Sequence, residues 1–372
     1  MIDIPKHVRT LRPYKPGKPI SELAREMNLA RIVKLASNEN PLGPSPKAVQ
    51  AIAEAVKQLH RYVDPQAEKL VRKLADKTGK KPEQIVFGHG TDALIAYIVN
   101  TFTVEGDEVL TSDGTFIGIY VSTNKLARRL RKVPLKDYRF DLNAIAGSVT
   151  EATRIIYLAN PNNPTGTMFT ASEFETFMQR IPDNVLVLLD EAYWTYAASV
   201  KDYPDGLRYD YDNLIVTRTL SKAYGLAGLR VGFAVGPEYL IGELRKVRLP
   251  FEPNHLAQVA AMSALDDGDF LARTIEINRA SLARMTSRFD QLGLTYLPTA
   301  ANFVLLIMPS EVSAARFFQE CLQRGLILRH VDTFGIAEGV RINSGTLDET
   351  EFALQVIEQV CHVLKPGCAL VP

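Results

Sequence analysis

Long apolar runs are missing from this chain; stretches such as Val185–Leu189 fall far short of the roughly twenty residues a membrane helix needs. Cysteine is scarce. Cys321, Cys361 and Cys368 make an odd number, hold no C-x-x-C pair, and two of them lie close to the chain end. A disulfide framework or a zinc ribbon is excluded, and a reducing compartment, the cytoplasm, is expected. The six histidines (His7, His60, His89, His255, His330, His362) form no H-x-x-x-H pair, so no metal site is expected. Neither sign of charge dominates: 43 basic against 42 acidic residues leave a net charge of +1. That gives no long-range pull toward nucleic acid or an anionic membrane. The one basic cluster, Lys125, Arg128, Arg129, Arg131 and Lys132, reads as a solvated face spanning a helix end and a strand start. The first twenty residues carry prolines and charges where a signal peptide would carry an apolar core, so none is expected.

What is present is ordinary globular material, 46% hydrophobic and 23% charged. At 372 residues it exceeds one core, so two domains are expected. Residues 1–40, broken by Pro5, Pro13, Pro16 and Pro19, read as an arm packing on the smaller domain or a partner, with two helical turns allowed over 21–28. Residues 41–248 read as a ligand-binding large domain. Val49, Ile52, Val56 and Leu59 fall at helical spacing, and a second helix runs from about Pro65 to Thr78, closed by Gly79. From there short apolar strands alternate with helices: 85–87, 108–111, 130–134, 154–159, 185–189, 214–217 and 229–235. One helix starts behind a capping box at Ser172-x-x-Glu175. Fully apolar strands alternating with helices imply an α/β fold whose mostly parallel sheet is covered on both faces. The chain breaks at Leu249–Pro253. Residues 249–372 then read as a smaller α+β domain: a helix over 267–292, strands at 294–297, 302–308, 326–329 and 340–342, and helices over 312–324 and from Leu347.

In such a sheet, ligands gather beyond the carboxyl ends of the strands, and the unusual residues fall there repeatedly. Gly88-His89-Gly90-Thr91-Asp92 opens a helix and offers backbone amides to an anion. Ser112-Asp113-Gly114-Thr115-Phe116 brings an aromatic ring to the same edge, and Asn160-Pro161-Asn162-Asn163-Pro164-Thr165-Gly166 fixes an amide there. Asp190 ends an entirely apolar strand, a costly place for a carboxylate without a cation; a protonated pyridine nitrogen would be that partner. In Thr219-Leu220-Ser221-Lys222, an amine sits among hydroxyls, with Arg230 eight residues on. Such an amine has reason to lose its proton and attack an aldehyde as a Schiff base, and the hydroxyls with Arg230 suit a phosphate. Together these point to pyridoxal phosphate. Two rivals remain open. Gly88-x-Gly90-x-x-Ala93 with Asp113 matches the loose dinucleotide fingerprint of an NAD-dependent dehydrogenase, though it leaves Lys222, Asp190 and Arg230 unexplained. A non-catalytic binding protein would keep the sheet but has no need of a reactive lysine.

The motifs resemble fold-type I, aspartate-aminotransferase-like pyridoxal-phosphate enzymes, and within them the histidinol-phosphate aminotransferase family. The likeness rests on Leu35-Ala36-Ser37-Asn38-Glu39-Asn40-Pro41, Arg61-Tyr62, Asn163-Pro164-Thr165-Gly166, Asp190-Glu191-Ala192-Tyr193, Leu220-Ser221-Lys222, Gly228-Leu229-Arg230, Leu328-Arg329 and Arg341-Ile342-Asn343-Ser344. The resemblance implies that Lys222 binds the cofactor covalently and shuttles the substrate's proton, and that Asp190 holds the pyridine nitrogen protonated. Tyr193 and Asn163 would meet the ring's 3-oxygen and Phe116 would stack on the ring. Thr91, Asp92, Thr219, Ser221, Arg230 and a partner subunit's copy of Tyr62 would hold the phosphate, which makes the enzyme a homodimer with shared sites. Arg341 would clamp the α-carboxylate of glutamate. With Arg329 and Tyr14 it would also take the phosphate of histidinol phosphate, and Asn40 and Asn163 would line the substrate side. The expected reaction passes the amino group from histidinol phosphate to 2-oxoglutarate, with phenylalanine or tyrosine as alternative donors and decarboxylation as a lesser reading. Departures from the family pattern are Ala93 for a common glutamate, Asp113-Gly114 for a Glu-Pro-like pair, and Asn343-Ser344 for Thr-Val.

Overall fold

The computed structural model describes residues 2–11, 25 and 29–364. Tyr14 and, apart from Arg25, the turns expected over 21–28 lie outside them. Pro5 does not keep the arm free of helix: a single turn follows it at Lys6–Arg9, where a proline's missing N–H costs nothing.

Strand β1 (Val33–Lys34) belongs to the second sheet region described below. The main sheet has seven strands: β2 (Ile85–Gly88), β3 (Glu108–Ser112), β4 (Arg129–Val133), β5 (Thr153–Ala159), β6 (Leu186–Asp190), β7 (Leu214–Thr219) and β8 (Gly232–Val235). Their order is β2-β8-β7-β6-β5-β3-β4. Strands β4, β3, β5, β6 and β7 run parallel, and only β8 opposes its neighbours. Every residue of β6, β7 and β8 is buried, which is why they read as continuous apolar stretches up to their polar ends, Asp190 in β6 and Thr217-Arg218-Thr219 in β7. The strand expected from 229 starts only at Gly232. Ala227–Leu229 first winds into a 3-10 turn and Arg230 takes a left-handed φ of 53°.

Helix α1 (Pro46–Ala55) and α2 (Glu68–Thr78, closed by Gly79 at φ 70°) form where the apolar spacing and the glycine stop put them. Helix α3 (Gly90–Phe102) leaves β2. Helix α4 (Ala171–Met178) is capped by Thr170 and Glu173, not by Ser172 and Glu175. Both pairs have the same spacing, but only Thr170 can stay extended ahead of the first buried residue of the helix, Phe174.

After the break at Leu249–Pro253 comes a helix the sequence reading passes over, α5 (His255–Ala264). Its Ala257, Ala260, Ala261 and Ala264 join the first core, so the parting expected at 248/249 does not separate the two cores. The long α6 (Gly268–Leu292) follows, and its Met285 and Phe289 belong to the second core. A four-stranded antiparallel sheet, order β12-β13-β10-β9, is built from β9 (Thr295–Tyr296), β10 (Phe303–Ile307), β12 (Arg329–His330) and β13 (Gly339–Asn343). Helices α7 (Glu311–Gln323) and α8 (Leu347–Leu364) pack on it. Strand β1 pairs in parallel with β11 (Leu326–Ile327), which brings Val33 and Leu35 from the end of the arm into this second core. No helix among the described residues is long and apolar enough to cross a membrane.

Candidate active site

One pocket beyond the carboxyl ends of β5, β6 and β7 gathers Thr91, Asp92, Phe116, Asn163, Asp190, Tyr193, Thr219, Ser221, Lys222 and Arg230. Ala159, Pro161 and Ala192 complete its wall. The convergence follows from register. Ala159 pairs with Asp190 and Asp190 with Thr217, so the three parallel strands end level with one another.

Asp190 is 4% exposed. Its Oδ2 accepts from the Tyr157 hydroxyl at 2.8 Å and its Oδ1 from Thr217 Oγ1 at 3.3 Å. Burial lifts its pKa to about 6, against the lowering pull of the Tyr157 hydrogen bond. Among the described residues it has no ion-pair partner. Glu191, the next residue, points away into the core and meets the buried Arg218 at 2.6 Å. A cation of the protein thus answers one carboxylate of this pair and not the other.

Lys222 is half-buried, and its Nζ donates to the Ser37 carbonyl at 3.2 Å. Burial and then Arg341 pull its pKa down to about 8, which leaves roughly a tenth of the amines neutral at pH 7.

At the other end of the pocket lies the head of α3. Gly90 has φ 79° there. A Cβ on Gly90 would fall 2.7 Å from Arg230 Nη2, and one on Gly232 2.9 Å from the Thr91 amide nitrogen. The two glycines therefore let the guanidinium and β8 lie directly against the helix start. Arg230 Nη2 donates to Asp92 Oδ2 at 3.0 Å and its Nη1 to the Ala227 carbonyl at 3.2 Å. Helix-head amides, the Thr219 and Ser221 hydroxyls and a guanidinium make a donor set for an anion such as a phosphate.

Tyr193 is buried, which raises its pKa and keeps the phenol protonated. Its oxygen accepts from Asn38 Nδ2 at 2.7 Å. Asn163 Oδ1 accepts from Arg341 Nη1, and Arg341 Nη2 donates to the Ala36 carbonyl at 2.8 Å. Arg341 thus reaches the pocket wall through Asn163. Arg329 faces Arg341 across the β12–β13 pair, so both side chains leave the same face of the sheet. Both guanidiniums lie over the Phe334 ring, at 5.8 and 5.9 Å from its centroid.

Arg341 and Arg329 stand behind the pocket wall rather than lining it, and two further expected residues, Tyr62 and Asn40, are held away from it. Tyr62 is 85% exposed and stacks on Phe251, with ring centroids 4.4 Å apart. Asn40 is held elsewhere: Nδ2 donates to the Ala223 carbonyl at 2.9 Å and to Thr274 Oγ1 at 3.1 Å, and Oδ1 accepts from the Leu42 amide at 3.0 Å. With its amide spent in this way, Asn40 braces the turn after Lys222 rather than facing a substrate. Tyr14 lies outside the described residues. Conversely, Tyr157, Thr217, Ser37 and Asn38 contact the key side chains without having been singled out for a role. The signal for Tyr157 and Thr217 lies in the strand register. No group of metal-ligating side chains occurs among the described residues.

The family described as aminotransferase class I and II matches residues 30–357. A histidinol-phosphate aminotransferase 2 of Hydrogenovibrio crunogenus is 42% identical over 357 residues, 95% of each chain. Another, from Carboxydothermus hydrogenoformans, is 40% identical over 96% of this chain and 99% of its own. Among solved structures, histidinol-phosphate aminotransferase from Sinorhizobium meliloti in complex with pyridoxal-5'-phosphate superposes with a TM-score of 0.89 at 29% identity, covering 97% of this chain and 98% of that one. Aspartate aminotransferase from Thermus thermophilus with maleate shares the fold, with a TM-score of 0.81 at 20% identity over 97% of this chain and 100% of its own.

Proposed function

The chain belongs to the class I and II aminotransferase family, and on that premise we propose that it moves the amino group of histidinol phosphate to 2-oxoglutarate with pyridoxal 5'-phosphate as cofactor. The observation that carries the chemistry is a pocket holding a lysine of lowered pKa beside a buried carboxylate that meets no cation among the described residues. The substrate is supported by relatives about 40% identical over nearly the whole chain.

The residues fit the cofactor. The carboxylate of Asp190 suits a protonated ring nitrogen, and the glycine-cleared cradle at the head of α3 suits the phosphate. When bound, the ring supplies an electron sink for charge developing at the substrate's Cα. The rest is done by the chain's own groups. Lys222 Nζ would carry the cofactor and move the proton at Cα. Asp190 would hold the proton on the ring nitrogen. Asn163 and Tyr193 would serve the ring's 3-oxygen, and Phe116 would lie against the ring. The amides of Thr91 and Asp92 hold the phosphate with Thr219, Ser221 and Arg230. Arg341 takes the α-carboxylate of glutamate, and Arg329 joins it on the phosphate of histidinol phosphate, the role also proposed for Tyr14.

A homodimer belongs to the same proposal. Val49, Val56 and Leu59 are all exposed, at 48%, 44% and 57%. Tyr62, 85% exposed, follows this stretch in the chain and would enter a partner's site across it. The cytoplasm is the proposed location, and the two domains are proposed to part along α6. Initial rates with histidinol phosphate, phenylalanine, tyrosine and aspartate against 2-oxoglutarate test the substrate. Histidinol phosphate should give the highest kcat/KM; an aromatic donor that outruns it contradicts the assignment.

A further inference from the structure

Asn38 lies between β1 and α1, is 1% exposed, and stands in the left-handed region at φ 56°. Asparagine and glycine tolerate that region, whereas most side chains are strained there. Three hydrogen bonds hold it. Its backbone N–H donates to Asn343 Oδ1 at 3.0 Å, its carbonyl accepts from Asn302 Nδ2 at 3.2 Å, and its own Nδ2 donates to Tyr193 Oη at 2.7 Å. The side chains of Asn343 and Asn302 together fix the Asn38 backbone. Asn38 Oδ1 has no partner among the described residues. As placed, one N–H of the amide finds an acceptor in Tyr193 Oη; turned over, neither N–H would have one, the costlier arrangement because an orphaned buried donor is rarer than an under-used carbonyl oxygen. A phenol oxygen that receives a proton from Asn38 must aim its own proton elsewhere. Among the described residues that proton has no acceptor, and Tyr193 lines the pocket beside Asn163, Asp190 and Lys222.

We propose that Asn38 is a positioning residue: by donating to Tyr193 Oη it turns the phenol's proton into the pocket, toward the 3-oxygen of the bound cofactor. The inference rests on the reading of this pocket as a pyridoxal phosphate site. A donor at that oxygen competes with the proton on the neighbouring nitrogen for the same lone pairs. It therefore lowers the pH midpoint of the holoenzyme's visible absorption. Because Asn302 immediately precedes β10 and Asn343 ends β13 of the four-stranded sheet, the aim of the phenol also depends on how that sheet seats against the pocket.

The test is a pH titration of the visible band in four holoenzymes: wild type, Asn38→Gly, Tyr193→Phe, and the double variant. Glycine keeps the left-handed backbone and removes only the amide. The charged groups around the phenol (Asp190, Lys222, Arg341, and Arg230 with Asp92) are common to all four and cancel in the comparison. Asn38→Gly should raise the midpoint by roughly half a pH unit to one unit, with no further rise once Tyr193→Phe is present. Asn38→Asp, which keeps the backbone but can only accept from the phenol, should raise it at least as far. A midpoint unmoved by Asn38→Gly, or moved equally in both backgrounds, overturns the inference alone. Absence of any visible band in the wild type overturns the cofactor reading, and this inference with it.

Discussion

Asp190 is costly to the apoprotein, and the role proposed for it would make it necessary once the cofactor is bound. Burial raises its pKa from 3.8 to about 6, so in that window the folded chain binds its proton more tightly than the unfolded chain does. The contribution of Asp190 to the stability of the apoprotein is therefore fully present below pH 3.8, falls as pH rises to about 6, and stays reduced above. Asp190→Asn should stabilise the apoprotein above pH 6 by on the order of 1–3 kcal/mol, with no gain near pH 4. Thermal melts of the apoprotein at the two pH values check this. The same substitution should slow turnover by several orders of magnitude, because nothing then holds the ring nitrogen protonated. Asp190 and Lys222 were legible in the sequence because each is chemically out of place where it stands, a carboxylate closing an apolar strand and an amine in a hydroxyl-rich turn. Tyr157 and Thr217 were not, since they sit inside runs that read as buried strand. They become partners of Asp190 only once β5, β6 and β7 align. Asn40 misled for the opposite reason: it lies in a motif of the family, but its amide is consumed by backbone and Thr274 contacts.

At the scale of elements, the head of α3 and the β12–β13 pair do most to shape the site. Gly90 combines a positive φ with the guanidinium of Arg230 only 2.7 Å from where a Cβ would stand. Gly90→Ala should push Arg230 off the helix head and weaken cofactor binding at least tenfold, the effect of about 1.4 kcal/mol, with the chain still folded. Equilibrium titration of the apoprotein with pyridoxal phosphate measures it; unchanged affinity would mean the anion binds elsewhere. The glycine turn was visible in sequence because only glycine supplies that backbone freely. The facing of Arg329 and Arg341 was not, because register across two short strands leaves no mark in either one. Helix α5 escaped notice because His255–Ala264 is rich in alanine and small residues, which give a weak periodicity where large apolar side chains would give a strong one.

Among the described residues two large cores dominate, with three smaller clusters beside them, one of which contains the pocket's Tyr193. Strand–helix alternation carried the first core in the sequence. The division did not follow the proline break, because α5 after that break packs back onto α1 and the first core. The exposed face of Val49, Val56 and Leu59 has a consequence at this scale. On the proposed dimer, Leu59→Asp should give monomers in sedimentation and abolish most activity, because the Tyr62 proposed to come from the partner would be lost, while the monomer stays folded. A variant that remains dimeric and active would place the interface elsewhere. The most direct test of the account is chemical. Holoenzyme reduced with borohydride and digested should carry the pyridoxyl mass on the peptide containing Lys222. The same mass on another lysine, or on none, would contradict it.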